Sequence, residues 1–144
     1  MSPTVTGSKS SLVIGNTIAE IEKVVDFVDR FGAAHAIPQG VTNDLNLCLD
    51  ELLNNTISYG YEDQGPHSIA IDLSLANNLL IAKIQDDAIP FDPCQAAFTA
   101  PDAPLQSRKV GGLGIHFVKT LIDELGYMRV GRHNVVTITK KLRG

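Results

Sequence analysis

Long apolar runs are missing from this chain of 144 residues, and with them any segment long enough to cross a bilayer as a helix. The opening MSPTVTGSKS lacks the apolar stretch of a secretory signal and reads as a short loose tail over residues 1–10, so the expected location is the cytoplasm. Cysteine is scarce: Cys48 and Cys94 are the only two, they stand in no metal-ligand spacing, and they give no disulfide framework. Cys48 reads as a small core residue. A basic excess is lacking too, because 12 Lys and Arg against 16 Asp and Glu leave a net charge of -4. That balance argues against a general nucleic-acid binder, so affinity for phosphate must be local. The four histidines, His35, His67, His116 and His133, are scattered without metal spacing and read as surface or helix residues. No repeat, low-complexity segment or charge block divides the chain.

What is present suits one ordinary domain over residues 11–144: 44% hydrophobic and 19% charged residues are the proportions of a soluble globular protein. SLVIG (Ser11 to Gly15) predicts a short first strand. Asn16 offers a helix N-cap, and Ile18, Ile21, Val24, Val25 and Val28 recur at helical spacing as far as Gly32. A second helix is predicted from about Val41 to Ser58, its apolar stripe running through Val41, Leu45, Cys48, Leu49, Leu52, Leu53 and Thr56, with Gly60 as its end. Period-two alternation at Ile69, Ile71, Leu73 and Leu75, an Asn77-Asn78 turn and LLIAKIQD predict a hairpin. From Pro90 to Val110 four prolines and no sustained periodicity mark a long loop, read as a lid at about 92–111. A third helix from Gly112 to about Leu125 and a closing hairpin, YMRV then VVTITKKL with a turn at Gly131 to Asn134, complete an α+β, two-layer sandwich. Its sheet is expected to be mixed and mostly antiparallel, with helices on one face.

Three constellations can carry chemistry. Glu51 and Asn55, four residues apart, share one stripe on the shoulder of the second helix. A carboxylate beside an amide oxygen suits a hard cation such as magnesium, and Glu51 can alternatively act as a general base on a hydroxyl. An isolated E-x-x-x-N is more often an exposed polar flank. DDAIPFDP stands at the end of a predicted buried strand, where a carboxylate can accept a hydrogen bond from an exocyclic amine; an acidic turn is the plainer alternative. VGGLGIHFVKTL places glycines before and at a helix start, leaving backbone N–H groups approachable by phosphate, with Arg108 and Lys109 adding charge. Glycines needed only for a tight loop would look the same. The spacing is neither a P-loop nor a Rossmann fingerprint.

Taken together, ELLNN with SYGYE, then DDAIPFDP, then GGLG, resemble the ATP-binding domain of gyrase, Hsp90, histidine kinases and MutL over nearly the whole chain. Within that superfamily the chain is most similar to the bacterial anti-sigma factor serine kinases of partner-switching pathways. Their signatures, E-x-x-x-N-x-x-x-[HY]-G-Y, DDGxPFDP and GGLGI before a Leu-Asp-Glu helix, read here as Glu51, Asn55, Tyr59, Gly60 and Tyr61, then Asp86 to Pro93, then Gly111 to Ile115 with LIDEL. The resemblance implies a histidine-kinase-like ATPase fold that binds ATP or ADP with Mg2+. It implies that Asn55 ligates magnesium, that Glu51 is the base in phosphoryl transfer, and that Asp86 reads adenine. Tyr59 falls in the same box as Asn55; Gly111, Gly112, Leu113 and Gly114 would wrap the phosphates under the lid, and Thr137 would lie near the adenine end.

It further implies a small antagonist protein with a phosphorylatable serine, a sequestered sigma factor or other regulator, and a homodimer. Two departures stand out. Position 88 is alanine where the family usually has glycine, which would cost contact or introduce strain if that position nears the nucleotide or needs positive φ. The lid also lacks an arginine immediately before its first glycine. A binding-only module with a weakened ATP site is the alternative that Ala88 motivates. A histidine-kinase catalytic domain or a stand-alone ATPase fits less well, since no phospho-accepting helix or transducer domain is apparent.

Overall fold

The computed structural model describes residues 7–63, 65–94 and 118–142. Strand β1 (Gly7–Gly15) is followed by a 3-10 turn at Ile18–Glu20, helices α1 (Ile21–Ala34) and α2 (Gln39–Tyr59), strands β2 (Ser68–Ala76) and β3 (Leu79–Asp86), then β4 (Glu124–Val130) and β5 (His133–Lys141). The five strands form one sheet in the order β1-β2-β3-β5-β4. All four pairings among these strands are antiparallel, so the mixture anticipated from the sequence is not found in them.

The period of two does the sorting in the sheet. Ile69, Ile71 and Leu73 of β2, Leu80, Ala82 and Ile84 of β3, and Val136 and Ile138 of β5 are buried on one face. The registers Ile71↔Ile84 and Ile84↔Val136 set those side chains side by side. Against this face pack Val24, Val28 and Phe31 of α1 and Leu45, Cys48, Leu49, Leu52 and Leu53 of α2, giving the two-layer sandwich. The β2–β3 hairpin turns at Asn77 and Asn78, with φ of 53° and 64°, the left-handed conformation that asparagine tolerates. Cys48 is fully buried, and burial, with Asp44 nearby, pushes its thiol up to about 12.

Several boundaries differ from the sequence reading, each for a local reason. The first strand begins at Gly7, not Ser11, because residues 7–10 continue the ladder from Gly7↔Ala76 to Ser10↔Leu73, so the expected tail is shorter than residues 1–10. Asn16 does not cap α1. Its side chain accepts from the His67 N–H (3.0 Å) and donates to the Gly65 carbonyl (3.3 Å), while Glu20 accepts from the Gly15 N–H (3.1 Å). Gly32 does not end α1 but lies inside it, where a Cβ would come within 2.5 Å of the Thr42 methyl, so glycine is what lets the two helices approach.

The third helix stops short of Leu125. Residues 118–121 are helical, and β4 has begun by Glu124. Lys140 Nζ holds the Leu121 carbonyl (2.6 Å), and the Asp123 N–H donates to the Thr139 carbonyl (2.9 Å), turning the chain into the sheet. Among the described residues, no helix is long and apolar enough to cross a membrane.

Candidate functional site

The pocket lies between the C-terminal half of α2 and the ends of β3 and β5. Its walls are Leu52, Asn55, Thr56, Tyr59 and Gly60 from α2, Ile84 and Asp86 from β3, Ala88, Ile89, Phe91 and Pro93 from the chain leaving β3, and Asn134 and Val136 from β5. Helical spacing explains the α2 contribution, since Glu51, Asn55 and Tyr59 follow one another every four residues along one stripe. Asn55 and Tyr59 line the pocket, and Glu51 stands one turn toward the helix N-terminus, half-buried and outside its wall. Gly60 closes the corner. A Cβ there would lie 2.6 Å from the Thr56 carbonyl oxygen and 2.9 Å from the Ala88 methyl, and its carbonyl accepts from the Ile89 N–H at 2.9 Å.

The strand wall is a satisfied polar network around a buried carboxylate. Asp86 is 3% exposed, and its Oδ1 accepts from Asn134 Nδ2 (2.9 Å) and from the Ala88 N–H (3.0 Å). Among the described residues both hydrogen bonds to this carboxylate end on Oδ1, which leaves Oδ2 as an acceptor for a ligand. Burial raises the carboxyl above its ordinary value. The bonds from Asn134 and Ala88 and the charge of Arg129 pull it back, while Asp87 pushes it further up. Ala88 has no positive φ, so the methyl at position 88 carries none of the backbone strain that a left-handed glycine position would imply. It is buried, and its methyl packs against Gly60 in the pocket wall.

The helix wall is the reverse. Asn55 has a buried amide nitrogen with no hydrogen-bond partner among the described residues. A buried amide left unpaired is costly unless something else completes it. The nitrogen is a donor that an anionic ligand group would complete, and the amide oxygen is a ligand type that suits a hard cation, so Asn55 could hold magnesium, which would supply charge neutralisation.

Asn134 is the residue that motif reading missed. It is 3% exposed on the inner face of β5, and it gathers the segment that leaves β3. Extending the alternation of Ile138 and Val136 back by two residues places Asn134 on the buried face, which was the available signal. The same alternation puts Thr137 on the opposite face of the sheet, paired with Lys83 and Gly126 and away from the pocket, which corrects its expected position near the adenine end. Arg108, Lys109, Gly111, Gly112, Leu113 and Gly114 lie outside the described residues, as does most of the lid read at 92–111.

A second polar cluster flanks the pocket. The His67 ring stacks on Tyr61 (centroids 4.4 Å apart), with Nε2 2.8 Å from Asp63 and Nδ1 3.1 Å from Asp87. Hydrogen bonds to Asp63 and then Asp87 raise the imidazole above its ordinary value. His67 was expected to be an ordinary surface residue; it joins the α2–β2 connection to the residue next to Asp86.

Two helices over one face of an antiparallel sheet, with a buried acceptor at a strand end and a helix-borne amide lining one pocket, make an α+β sandwich with a polar site between its layers. The family model described as histidine kinase-like ATPase domain matches residues 14–140, and the chain belongs to that family. Among curated relatives, the serine/threonine-protein kinase BtrW of Bordetella bronchiseptica is 30% identical over 95 residues, covering 66% of this chain and 67% of BtrW. The serine-protein kinase RsbW of Bacillus subtilis is 28% identical over 107 residues, covering 70% of this chain and 65% of RsbW. The chain thus spans about two thirds of the length of these relatives. A solved structure of the RsbU and RsbW domains of Rv1364c from Mycobacterium tuberculosis superposes with a TM-score of 0.66 over 94% of this chain and 32% of that one, at 16% identity, a likeness of fold. The resemblance to serine kinases of this superfamily, read from the motifs, is borne out by the family match and these relatives.

Proposed function

We propose that this chain is an ATP-dependent protein serine kinase of the partner-switching kind. In this reading it phosphorylates a serine on a small antagonist protein and sequesters a second partner, a sigma factor or comparable regulator, acting as a homodimer in the cytoplasm. The observation that carries the reading is the pairing of Asp86, a buried acceptor with one oxygen left over, with the unsatisfied amide of Asn55 across the same pocket. Asp86 would accept from the exocyclic amine of adenine, and Ile84, Ile89 and Val136 would pack on the base. Asn55 would hold magnesium, which supplies charge neutralisation at the phosphates. Glu51, one turn away, would take the proton from the acceptor serine as its oxygen bonds to the γ-phosphorus and ADP leaves. Gly112 and Gly114, with Arg108 or Lys109, are assigned to the phosphates from sequence.

A binding-only module is the second reading, and the Ala88 methyl in the pocket wall favours it by narrowing the site. Calorimetry with ATP, with and without magnesium, followed by a mass-shift assay on a candidate antagonist, separates the two. Magnesium-dependent ATP binding with phosphate transfer supports the kinase. Binding without transfer leaves the module, and no nucleotide binding removes both site assignments.

A further inference from the structure

Asn134 stands at the centre of a polar network in which its backbone and guanidinium partners each have a single role. Its Nδ2 donates to Asp86 Oδ1 (2.9 Å), to the Ile89 carbonyl (2.9 Å) and, at longer range, to the Ala88 carbonyl (3.4 Å). Its Oδ1 accepts from Tyr127 Oη (2.6 Å), Arg129 Nη1 (3.1 Å) and the Phe91 N–H (3.3 Å). Acceptors surround the nitrogen and donors surround the oxygen, and a guanidinium cannot accept, so the amide has one orientation. Arg129 also donates to the Ala88 carbonyl at 2.9 Å. The edge strand β4 thereby reaches across β5 to the carboxylate at the end of β3.

We propose that Asn134, oriented by Arg129 and Tyr127, is a positioning residue that keeps Asp86 a pure hydrogen-bond acceptor and so makes the pocket choose a base with an exocyclic amine over one with a carbonyl at that place. The inference rests on the reading of the pocket as a nucleotide site with Asp86 at the base. An ionised carboxylate accepts from the amine of adenine and repels the carbonyl oxygen of guanine. A protonated one can donate to that carbonyl, and discrimination is lost.

Burial, and after it the charge of Asp87, push the Asp86 carboxyl toward the neutral acid. Arg129 and the amide of Asn134 oppose it. Among the described residues the other charged or titratable neighbours are Tyr61, which feels both Asp86 and Asp87, His67, which pairs with Asp87, and Tyr127, which donates to Asn134. Removing the clamp therefore changes which base is accepted as well as how tightly it is held, a signature that a merely structural contact would not leave.

The test is the ratio of ATP to GTP dissociation constants for the full chain by calorimetry between pH 5 and 8, for wild type, Asn134→Ala, Arg129→Met and Arg129→Lys. Wild type should prefer ATP throughout. Asn134→Ala and Arg129→Met should lower the ratio by about tenfold to a hundredfold, the worth of one to two lost hydrogen bonds to a charged group. The loss should grow toward acid pH, and Arg129→Lys should restore most of the preference. If Asn134→Ala does not fold by thermal melt, Arg129→Met carries the test. An unchanged ratio in folded Arg129→Met, or equal weakening of ATP and GTP, overturns the proposal while leaving the nucleotide site standing. Failure of wild type to bind either nucleotide overturns the site reading and the clamp together.

Discussion

The two walls of the pocket are built on opposite terms. On the strand side, Asp86 and Asn134 are almost fully buried, and Asp86 Oδ1 and the Asn134 amide are tied to one another, to Arg129 and to the backbone at 88–91. On the helix side, Asn55 offers a buried amide nitrogen with no partner among the described residues, and Glu51 is half-buried. A satisfied network adds stability and fixes one geometry, whereas an unsatisfied group costs stability until a ligand completes it. The strand wall is thus fixed in advance, whereas the helix wall leaves a polar group open. Such a division would suit the proposed phosphoryl transfer, in which the base stays put and the charge moves.

The sharpest way to break this comparison is at Glu51. Glu51→Gln keeps shape and removes the base proposed above, so phosphate transfer to a candidate antagonist should fall by about 10²–10⁴-fold while ATP affinity stays within about twofold. Full transfer by the variant would remove Glu51 from the chemistry.

Asn55 and Asn134 form the matched pair, the same residue type on the two walls. Asn55→Ala should weaken ATP in the presence of magnesium by about tenfold to a hundredfold. Yet it should leave the free protein as stable as wild type or slightly more so, because an unpaired amide leaves a helix and alanine favours that helix by roughly 0.5 kcal/mol. Asn134→Ala should instead cost about 1–3 kcal/mol in denaturant unfolding, the penalty of leaving Asp86 and its neighbours unpaired. Equal stability losses at both positions would erase the distinction between the walls.

How much of this was legible in the sequence follows the range of each interaction. The helix stripe from Leu45 to Leu53, the Asn77-Asn78 turn and the buried face of β2 are written in periods of 3.6 and 2, and the structure has them where those periods place them. Asp86 and Asn55 were readable because the motifs name them. Asn134 was not, because its importance comes from pairing β5 with β3 and β4 at once, and from groups 43 to 48 residues away, the Phe91 N–H and the Asp86 carboxylate. Thr137 was placed by the resemblance, and the alternation of β5 sets it on the face opposite the pocket. Gly32 and Asn16 were given local meanings, helix stop and helix cap. Their real partners, Thr42 and His67, belong to other elements.

Ala88 allows a finer test of the strand wall. Since position 88 has no positive φ, Ala88→Gly relieves no strain and removes only a methyl against Gly60. ATP affinity should change by less than about fivefold, the scale of one methyl group in an apolar wall. The reciprocal Gly60→Ala puts a Cβ within 2.6 Å of the Thr56 carbonyl oxygen and 2.9 Å of the Ala88 methyl, and should destabilise by roughly 1–3 kcal/mol in chemical denaturation. A pocket tolerant of Gly60→Ala would mean that the corner between α2 and position 88 is looser than the strand network requires.

The smallest expected effect is the pH response of the His67 bridge, which joins the connection after α2 to the end of β3. A neutral imidazole has one N–H and can serve only one of Asp63 and Asp87; the imidazolium serves both, and those bonds raise its pKa. The stabilisation is therefore fully present below the ordinary imidazole value and disappears as pH rises through the raised value of the folded protein. At the acid end, the bond from His67 first and the Gly65 N–H second lower the Asp63 carboxyl. That contribution is present above the ordinary carboxylate value and is lost as pH falls through the lowered one. The bridge is strongest between those limits, so the melting temperature of wild type relative to His67→Gln should be greatest in mildly acidic buffer and converge in alkaline buffer. A difference that stayed constant across that range would mean the stacking on Tyr61, and not the charge, holds the connection beside Asp86.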